Sequence, residues 1–261
     1  MSLQRQSAAF FDLDKTIIAT SSTIAFSHEL HVEGLLSRVD TLRTVYAQFL
    51  FMVGGADARQ TSRMRDSIAE TITGWEADKV RRIVEETVKE HIDPVVFEEA
   101  IRLIRRHQAN GRDVIIVSAS GAEIVEPIAR LLGAVSFIAS EMEVVDGKYT
   151  GKIDFYAYGP QKAEAIRGLA KKNGYDLERS YAYSDSITDM PMLDAVGFGY
   201  AVNPNHHMRR IAAEHGWGVL SFRKPTALRQ VNHRRGTLAF GVIVGLVGLV
   251  WIGTSRRRAK L

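Results

Sequence analysis

The stretch AAFFDLDKTII, Ala8–Ile18, decides how the rest of the chain is read. Its apolar opening reads as a buried strand that stops at Asp12 and Asp14. Carboxylates leave water at a cost unless something pairs with them. In extended geometry residues i and i+2 point the same way, so the two acids share one side. Like charges held that close raise one pKa or recruit a cation. A hard divalent ion suits oxygen ligands, and Mg²⁺ commonly takes one or two carboxylates, leaving its other positions to water or phosphate. An Asx turn or a helix cap would use the same residues for folding alone.

Downstream of this strand, residues 22–91 read as helices. TVYAQFLFMV has helical spacing, Gly54–Gly55 breaks it, and Trp75–His91 is amphipathic. Pro94 is expected to open a helix, PVVFEEAIRLIRRHQ, closed by Asn110–Gly111. DVIIVSAS is a second apolar strand, and strand–helix units follow. They are a helix over 121–132, the strand AVSFIAS, a hairpin turning at Asp146–Gly147, and a helix over 160–173. The strand SYAYSD, a helix over 187–195, the strand GFGYAV, a helix over 205–215 and the strand GWGVL complete the series. Repeated units of this kind imply a parallel sheet with helices on both faces. The helical block after the first strand is then an insertion, a second domain.

Ligands of open parallel sheets sit beyond the carboxyl ends of the strands, and three further stretches fall near that edge. Ser118-Ala119-Ser120-Gly121 follows a strand and is expected to open a helix, where backbone N–H groups and a hydroxyl receive anions. Lys162 stands in a first helical turn, against the helix dipole, a position that a facing phosphate would justify. Asp185 ends an apolar strand and Asp189 follows one turn later, with Thr188 between them. Helix caps and a surface lysine account for each stretch taken alone.

Together, and in this order, the four stretches resemble the haloacid dehalogenase superfamily of phosphohydrolases, over residues 8 to about 220. The insertion, the wording SASGAEIVEPIARLLGA and the hairpin ending in YTGKI resemble its subfamily IB, the phosphoserine-phosphatase-like branch. The resemblance implies an α/β fold: a Rossmann-like parallel core (1–20 and 92–220) with an α-helical cap (21–91). It also implies an aspartyl-phosphate mechanism on a small phosphorylated substrate, with Asp12 as nucleophile and Asp14 as general acid and base. Mg²⁺ would be held by Asp12, the Asp14 carbonyl and Asp185. Ser118, Ala119 and Lys162 would hold phosphoryl oxygens, supported by Asp189 and Thr188. Relatives that hydrolyse phosphoserine carry a Glu where Ser21 stands, so that substrate does not follow; the cap residues Arg63 and Arg65 are candidates for specificity. Alternatives are a phosphotransferase of the same fold and a non-catalytic membrane-anchored regulator.

Composition sets the context. The 261 residues are 46% hydrophobic and 25% charged, with no cysteine, so neither a disulfide framework nor a thiol nucleophile is available. The formal charge of +4 comes from the end of the chain. Residues 221–261 hold nine Lys/Arg and no acid, which leaves 25 basic against 30 acidic residues upstream, a net of −5. A nucleic-acid partner is therefore not expected. No GxGxxG follows the first strand and no Walker loop occurs, which excludes the usual nucleotide sites. His206–His207 has no acidic partner at ligand spacing.

Residues 236–255, GTLAFGVIVGLVGLVWIGTS, run for 20 residues without a charge, long enough for a transmembrane helix. A basic linker (221–235) precedes it and a basic tail (256–261) follows. The expectation is a single-pass anchor with the catalytic body on the cytoplasmic side. No signal peptide is expected at the N-terminus. Gly241 and Gly245 give the GxxxG spacing by which such helices pair into homodimers.

Overall fold

The computed structural model describes residues 6–35, 66, 69–223 and 225. Seven strands form one sheet in the order β4-β3-β2-β1-β5-β6-β7. They are β1 (Ala8–Asp12), β2 (Asp113–Gly121), β3 (Ser136–Val145), β4 (Lys148–Phe155), β5 (Tyr181–Ser184), β6 (Phe198–Val202) and β7 (Gly218–Leu220). Every neighbouring pair is parallel except β3 and β4, which form the expected hairpin. Its turn places Asp146 at φ 51° and Gly147 at φ 76°. Two left-handed residues in a row match the twist of the strands they join. The chain builds β1 to β4 in one direction and then returns beside β1 to build β5 to β7. The reversal between β1 and β5 opens the crevice in which such sheets bind ligands.

The alternation of β1 assigns its side chains to two layers. Ala9 and Phe11 pack with five of the described helices: α1 (Ser22–Ala25), α2 (Ser27–Val32), α3 (Ala77–Ile92), α4 (Glu98–Ala109) and α5 (Ala122–Leu131). Ala8 and Phe10 pack with α6 (Pro160–Asn173), α7 (Met190–Leu193) and α8 (His206–His215). Asp12 has the parity of Phe10 and so faces the α6 layer. Helix α3 buries Val80, Val84 and Val88 along one stripe, as its amphipathic sequence predicts. These residues join Phe26 and Leu30 in the same apolar cluster as the sheet. The described inserted helices are thus seated on the core. The β3–β4 hairpin fastens them further, with Ala77 N–H donating to the Gly147 carbonyl at 3.0 Å and Tyr149 N–H to the Trp75 carbonyl at 3.0 Å.

Two expected helices are corrected. Pro94 does not open the helix that follows: Asp93–Val95 is a 3₁₀ turn, Val96 and Phe97 are extended, and α4 starts at Glu98. The extended pair is held by the loop after β1, with Ala19 N–H on the Val95 carbonyl (2.8 Å) and Phe97 N–H on the Ile17 carbonyl (2.8 Å). A helix continuing through 96–97 would forfeit the second bond. The single helix expected over 187–195 is a 3₁₀ turn, Ile187–Asp189, followed by the one-turn α7. Pro191 removes an N–H that a longer helix would use.

Among the described residues no helix is long and apolar enough to cross a membrane. Residues 236–255, Gly241 and Gly245 lie outside them, as do Arg63 and Arg65.

Candidate active site

Strand register brings the expected residues to one edge. Asp12 pairs with Val117, so Ser118 lies one step beyond it on β2; Phe11 pairs with Tyr183, so Ser184 and Asp185 follow on the other side. After Asp12 the chain turns sharply. The Leu13 carbonyl accepts N–H groups from Thr16 (3.3 Å), Ile17 (2.9 Å) and Ile18 (3.1 Å), and Lys15 takes φ 60°. A non-glycine residue there costs about 1–2 kcal/mol. The turn brings Thr16 back beside the aspartate four residues before it.

Asp12 is held at both oxygens. Lys162 Nζ lies 2.6 Å from Oδ1, and the Thr16 hydroxyl donates to Oδ2 at 3.2 Å. Lys162 reaches it because α6 packs on the face that Asp12 presents. The lysine is buried, not a surface residue, and its second partner is Asp189 Oδ2 at 2.8 Å. Ser184 donates to the same Asp189 oxygen at 2.7 Å. Asp185 meets Asp12 across one hydroxyl: Thr16 Oγ1 lies 3.5 Å from Asp185 Oδ1 and accepts the Asp185 N–H at 2.9 Å. Asp14 turns to other partners, taking the Ser22 N–H on Oδ1 (2.7 Å) and the Ser120 hydroxyl on Oδ2 (3.3 Å).

The electrostatics follow from one buried ammonium facing several carboxylates. Burial raises Asp12 well above the usual carboxylate range despite Lys162, and Asp189 and Asp185 add to the rise. Burial likewise raises Asp14, against the pull of its Ser22 bonds. Asp185 is lifted to about 7, first by burial, with Lys15 pulling the other way. For Lys162 burial alone would lower the pKa; the charges of Asp12 and Asp189 outweigh it and raise it. The surplus of negative charge around Asp12 and Asp185, two acids separated by a hydroxyl, fits a hard divalent cation. No cluster of three or more His, Cys, Asp or Glu side chains stands ready for a metal among the described residues. The expected donor set asks for only two carboxylates and a backbone carbonyl.

The other expected residues sort as follows. Ser118 is buried but sits inside β2 rather than at a helix start, because the strand runs on to Gly121 and α5 begins at Ala122. Its Oγ accepts the Ser120 N–H at 3.1 Å, which leaves its own proton to donate. The Ala119 carbonyl accepts from the buried Ser140 hydroxyl at 2.7 Å, and Ser140 also accepts the Ala157 N–H at 3.2 Å. Ser140 thereby ties the end of β2 to the segment that leads into α6. Thr188 bonds Ser186 inside its own turn (2.8 Å). Ser21 is buried and its carbonyl accepts the Ala25 N–H at 3.0 Å; Ser22, its neighbour, touches Asp14. Sequence reasoning gave no individual role to Thr16, Ser22, Ser120, Ser140 or Ser184. Thr16 and Ser120 lie inside stretches it had singled out and Ser184 stands beside Asp185, whereas Ser22 and Ser140 carried no positional signal.

The chain matches the haloacid dehalogenase-like hydrolase family over residues 9–194 and belongs to it. It is a phosphatase of that family. A probable phosphatase of Mycobacterium tuberculosis is 55% identical over 86% of this chain and 78% of its own length. A Streptomyces azureus protein described as "inhibition of morphological differentiation protein" is 50% identical over 98% of this chain and 96% of its own. A phosphoserine phosphatase of Mycobacterium tuberculosis is 33% identical over 97% of this chain and 82% of its own.

Proposed function

We propose that the protein hydrolyses a small phosphomonoester through a phosphorylated Asp12, with Mg²⁺ as cofactor. The observation that carries this is the grip on Asp12: a buried carboxylate held at one oxygen by Lys162 and at the other by Thr16, with Asp185 on the same hydroxyl. An Asp12 oxygen attacks phosphorus in line and the bond to the leaving oxygen breaks. Asp14 gives its proton to that leaving oxygen. It then takes a proton from the water that attacks the acyl phosphate, releasing inorganic phosphate and restoring Asp12. Lys162 and the Ser118–Ala119 segment hold the phosphoryl oxygens, and Asp189 with Ser184 keeps the lysine aimed. Asp12, Asp185 and the Asp14 carbonyl would hold Mg²⁺, whose charge neutralises phosphoryl and carboxylate oxygens when bound.

The substrate is a small phosphorylated metabolite. The relative named as a phosphoserine phosphatase makes phosphoserine a compound to test, whereas Ser21 at the family's Glu position argues against it. Residues 236–255 are read as a single-pass anchor, which favours a substrate at the membrane surface, such as a phospholipid-derived phosphate. Comparing bilayer-presented and soluble substrates with full-length and tail-deleted protein tests this; equal turnover in all four cases removes the idea.

Asp12→Asn is expected to abolish Mg²⁺-dependent hydrolysis of p-nitrophenyl phosphate, at least about 10³-fold. Rapid acid quench of the wild type, followed by peptide mass spectrometry, is expected to place a phosphoryl group on Asp12. Near-normal turnover by Asp12→Asn would refute the assignment.

A further inference from the structure

The Asp14 carboxyl group makes no hydrogen bond to Lys162, Asp12 or Thr16; it is tied instead to two serines from distant parts of the chain. Ser22 is the first residue of α1, where the inserted segment begins, and its backbone N–H donates to Oδ1. Ser120 is the penultimate residue of β2, and its hydroxyl donates to Oδ2. The two hydroxyls lie 2.8 Å apart and close the triangle. The Ser22 side chain also bonds Asp14, so either hydroxyl can serve as its donor. A hydroxyl has one proton. If Ser120 spends its own on Asp14, the Ser22 hydroxyl is left to donate to Ser120; if Ser22 spends its own there, Ser120 donates to Ser22. With both oxygens held from different sides, the plane of the carboxyl group is fixed.

The geometry points to Ser120, backed by Ser22, as the positioning residue for proton transfer by Asp14, an inference that rests on the role proposed for that acid. As the bond between phosphorus and the leaving oxygen breaks, the proton moves from Asp14 to that oxygen and Asp14 becomes a carboxylate. A hydroxyl donating to a carboxylate makes a stronger bond than one donating to a neutral acid. The Ser120 bond therefore strengthens as the proton leaves, and so favours the transition state over the ground state. Ser120 contacts no reacting atom in this scheme. Because Ser22 opens the inserted segment, the start of that segment and the aim of the acid are set by the same contacts.

The test compares two leaving groups of similar shape. p-Nitrophenol departs readily as its anion, whereas phenol depends on a proton from the enzyme. The second-order constant kcat/KM is read because it stops at formation of the phosphoenzyme. Ser120→Ala is expected to raise the ratio of kcat/KM for p-nitrophenyl phosphate over phenyl phosphate about tenfold. Ser120→Thr, which keeps the hydroxyl, is expected to hold the ratio within about twofold of wild type. Equal loss on both substrates, or no change on either, overturns the inference and reduces Ser120 to packing or phosphate binding. Should Ser120→Ala fail to fold, Ser120→Cys, a near-isostere with a weak donor, is read by the same ratio and the same criteria. Asp12→Asn serves as the control: inactivity on both substrates keeps the mechanism standing whatever Ser120 does, while activity refutes the mechanism itself.

Discussion

Two lysines in this protein sit between two carboxylates with nearly the same distances. Lys162 lies 2.6 Å from Asp12 and 2.8 Å from Asp189; Lys152, on β4, lies 2.8 Å from Glu143 and 2.9 Å from Asp154. The first side chain is 4% exposed and the second 63%. Geometry alone would rank them alike. The difference is the solvent. In water the attraction is screened and ordering two long side chains costs entropy, so exposed pairs count for little. Out of water each charge depends on its partner, and removing one leaves the other with no good state. That dependence also makes the buried triad useful, because a fixed ammonium beside a nucleophile can receive phosphoryl charge without reorganising.

The comparison breaks most visibly at Lys162. Lys162→Met leaves Asp12 and Asp189 buried with no cation between them. The expected cost is about 3–5 kcal/mol of stability and a loss of turnover of about 10³-fold. Urea melts and a phosphatase assay measure the two effects separately. Retained activity in a folded variant would mean that the triad only braces the fold. A milder change, Ser184→Ala, removes one donor from Asp189 and leaves the pair intact, and so separates aiming from charge.

His107 sharpens the comparison by varying the partner while keeping the burial. It occupies the last turn of α4, on the stripe of Ala100, Ile101 and Ile104, and its Nε2 meets the Tyr183 hydroxyl at 2.8 Å. Phe11, Tyr181 and Tyr183 surround the ring, and no carboxylate among the described residues forms an ion pair with it. Burial, with Arg112 and Arg106 adding to it, lowers the imidazole pKa from 6.5 to about 4. The folded protein keeps His107 neutral in a range where the unfolded chain takes up a proton. Its contribution is full above pH 6.5 and is lost as pH falls through about 4. His107→Gln does not titrate. The difference in stability between wild type and His107→Gln is therefore expected to shrink by about 2 kcal/mol across that window, a figure discounted for residual screening. A pH-independent difference would mean that the ring titrates as in water.

These contrasts also mark what the sequence could reveal. The succession of strands and helices along the chain follows from short apolar runs between helical patterns, and the hairpin from Asp146–Gly147, because those signals act over a few residues; the order of the strands in the sheet does not. Asp12 and Asp185 could be singled out because a carboxylate at the end of a buried strand violates the pattern around it; their roles came only with the family resemblance. The burial of Lys162 was invisible, since a lysine in a first helical turn looks the same whether solvent or Asp12 faces it. The pairing of Ser22 with Ser120 was hidden for a related reason: the two are 98 positions apart, and no local pattern joins them. The break at Val96–Phe97 depends on bonds to Ala19 and Ile17, long-range partners that no local preference encodes.

The smallest effect is expected at Lys152, and it tests the premise of the comparison. Lys152 meets Glu143 and Asp154 on the open surface of the β3–β4 hairpin, and Thr150 donates to Glu143 at 2.8 Å beside them. The hairpin has independent support: its strands pair through the ladder, and its tip is bonded to Trp75 and Ala77. Lys152→Met should therefore leave the thermal midpoint and kcat/KM at wild-type values within error, at low and at high salt. If the midpoint instead falls at low salt and recovers as salt is added, the exposed cluster carries charge–charge strain that the lysine relieves. Burial would then no longer be what separates the two lysines, and the case for Lys162 would have to stand on its contact with Asp12 alone.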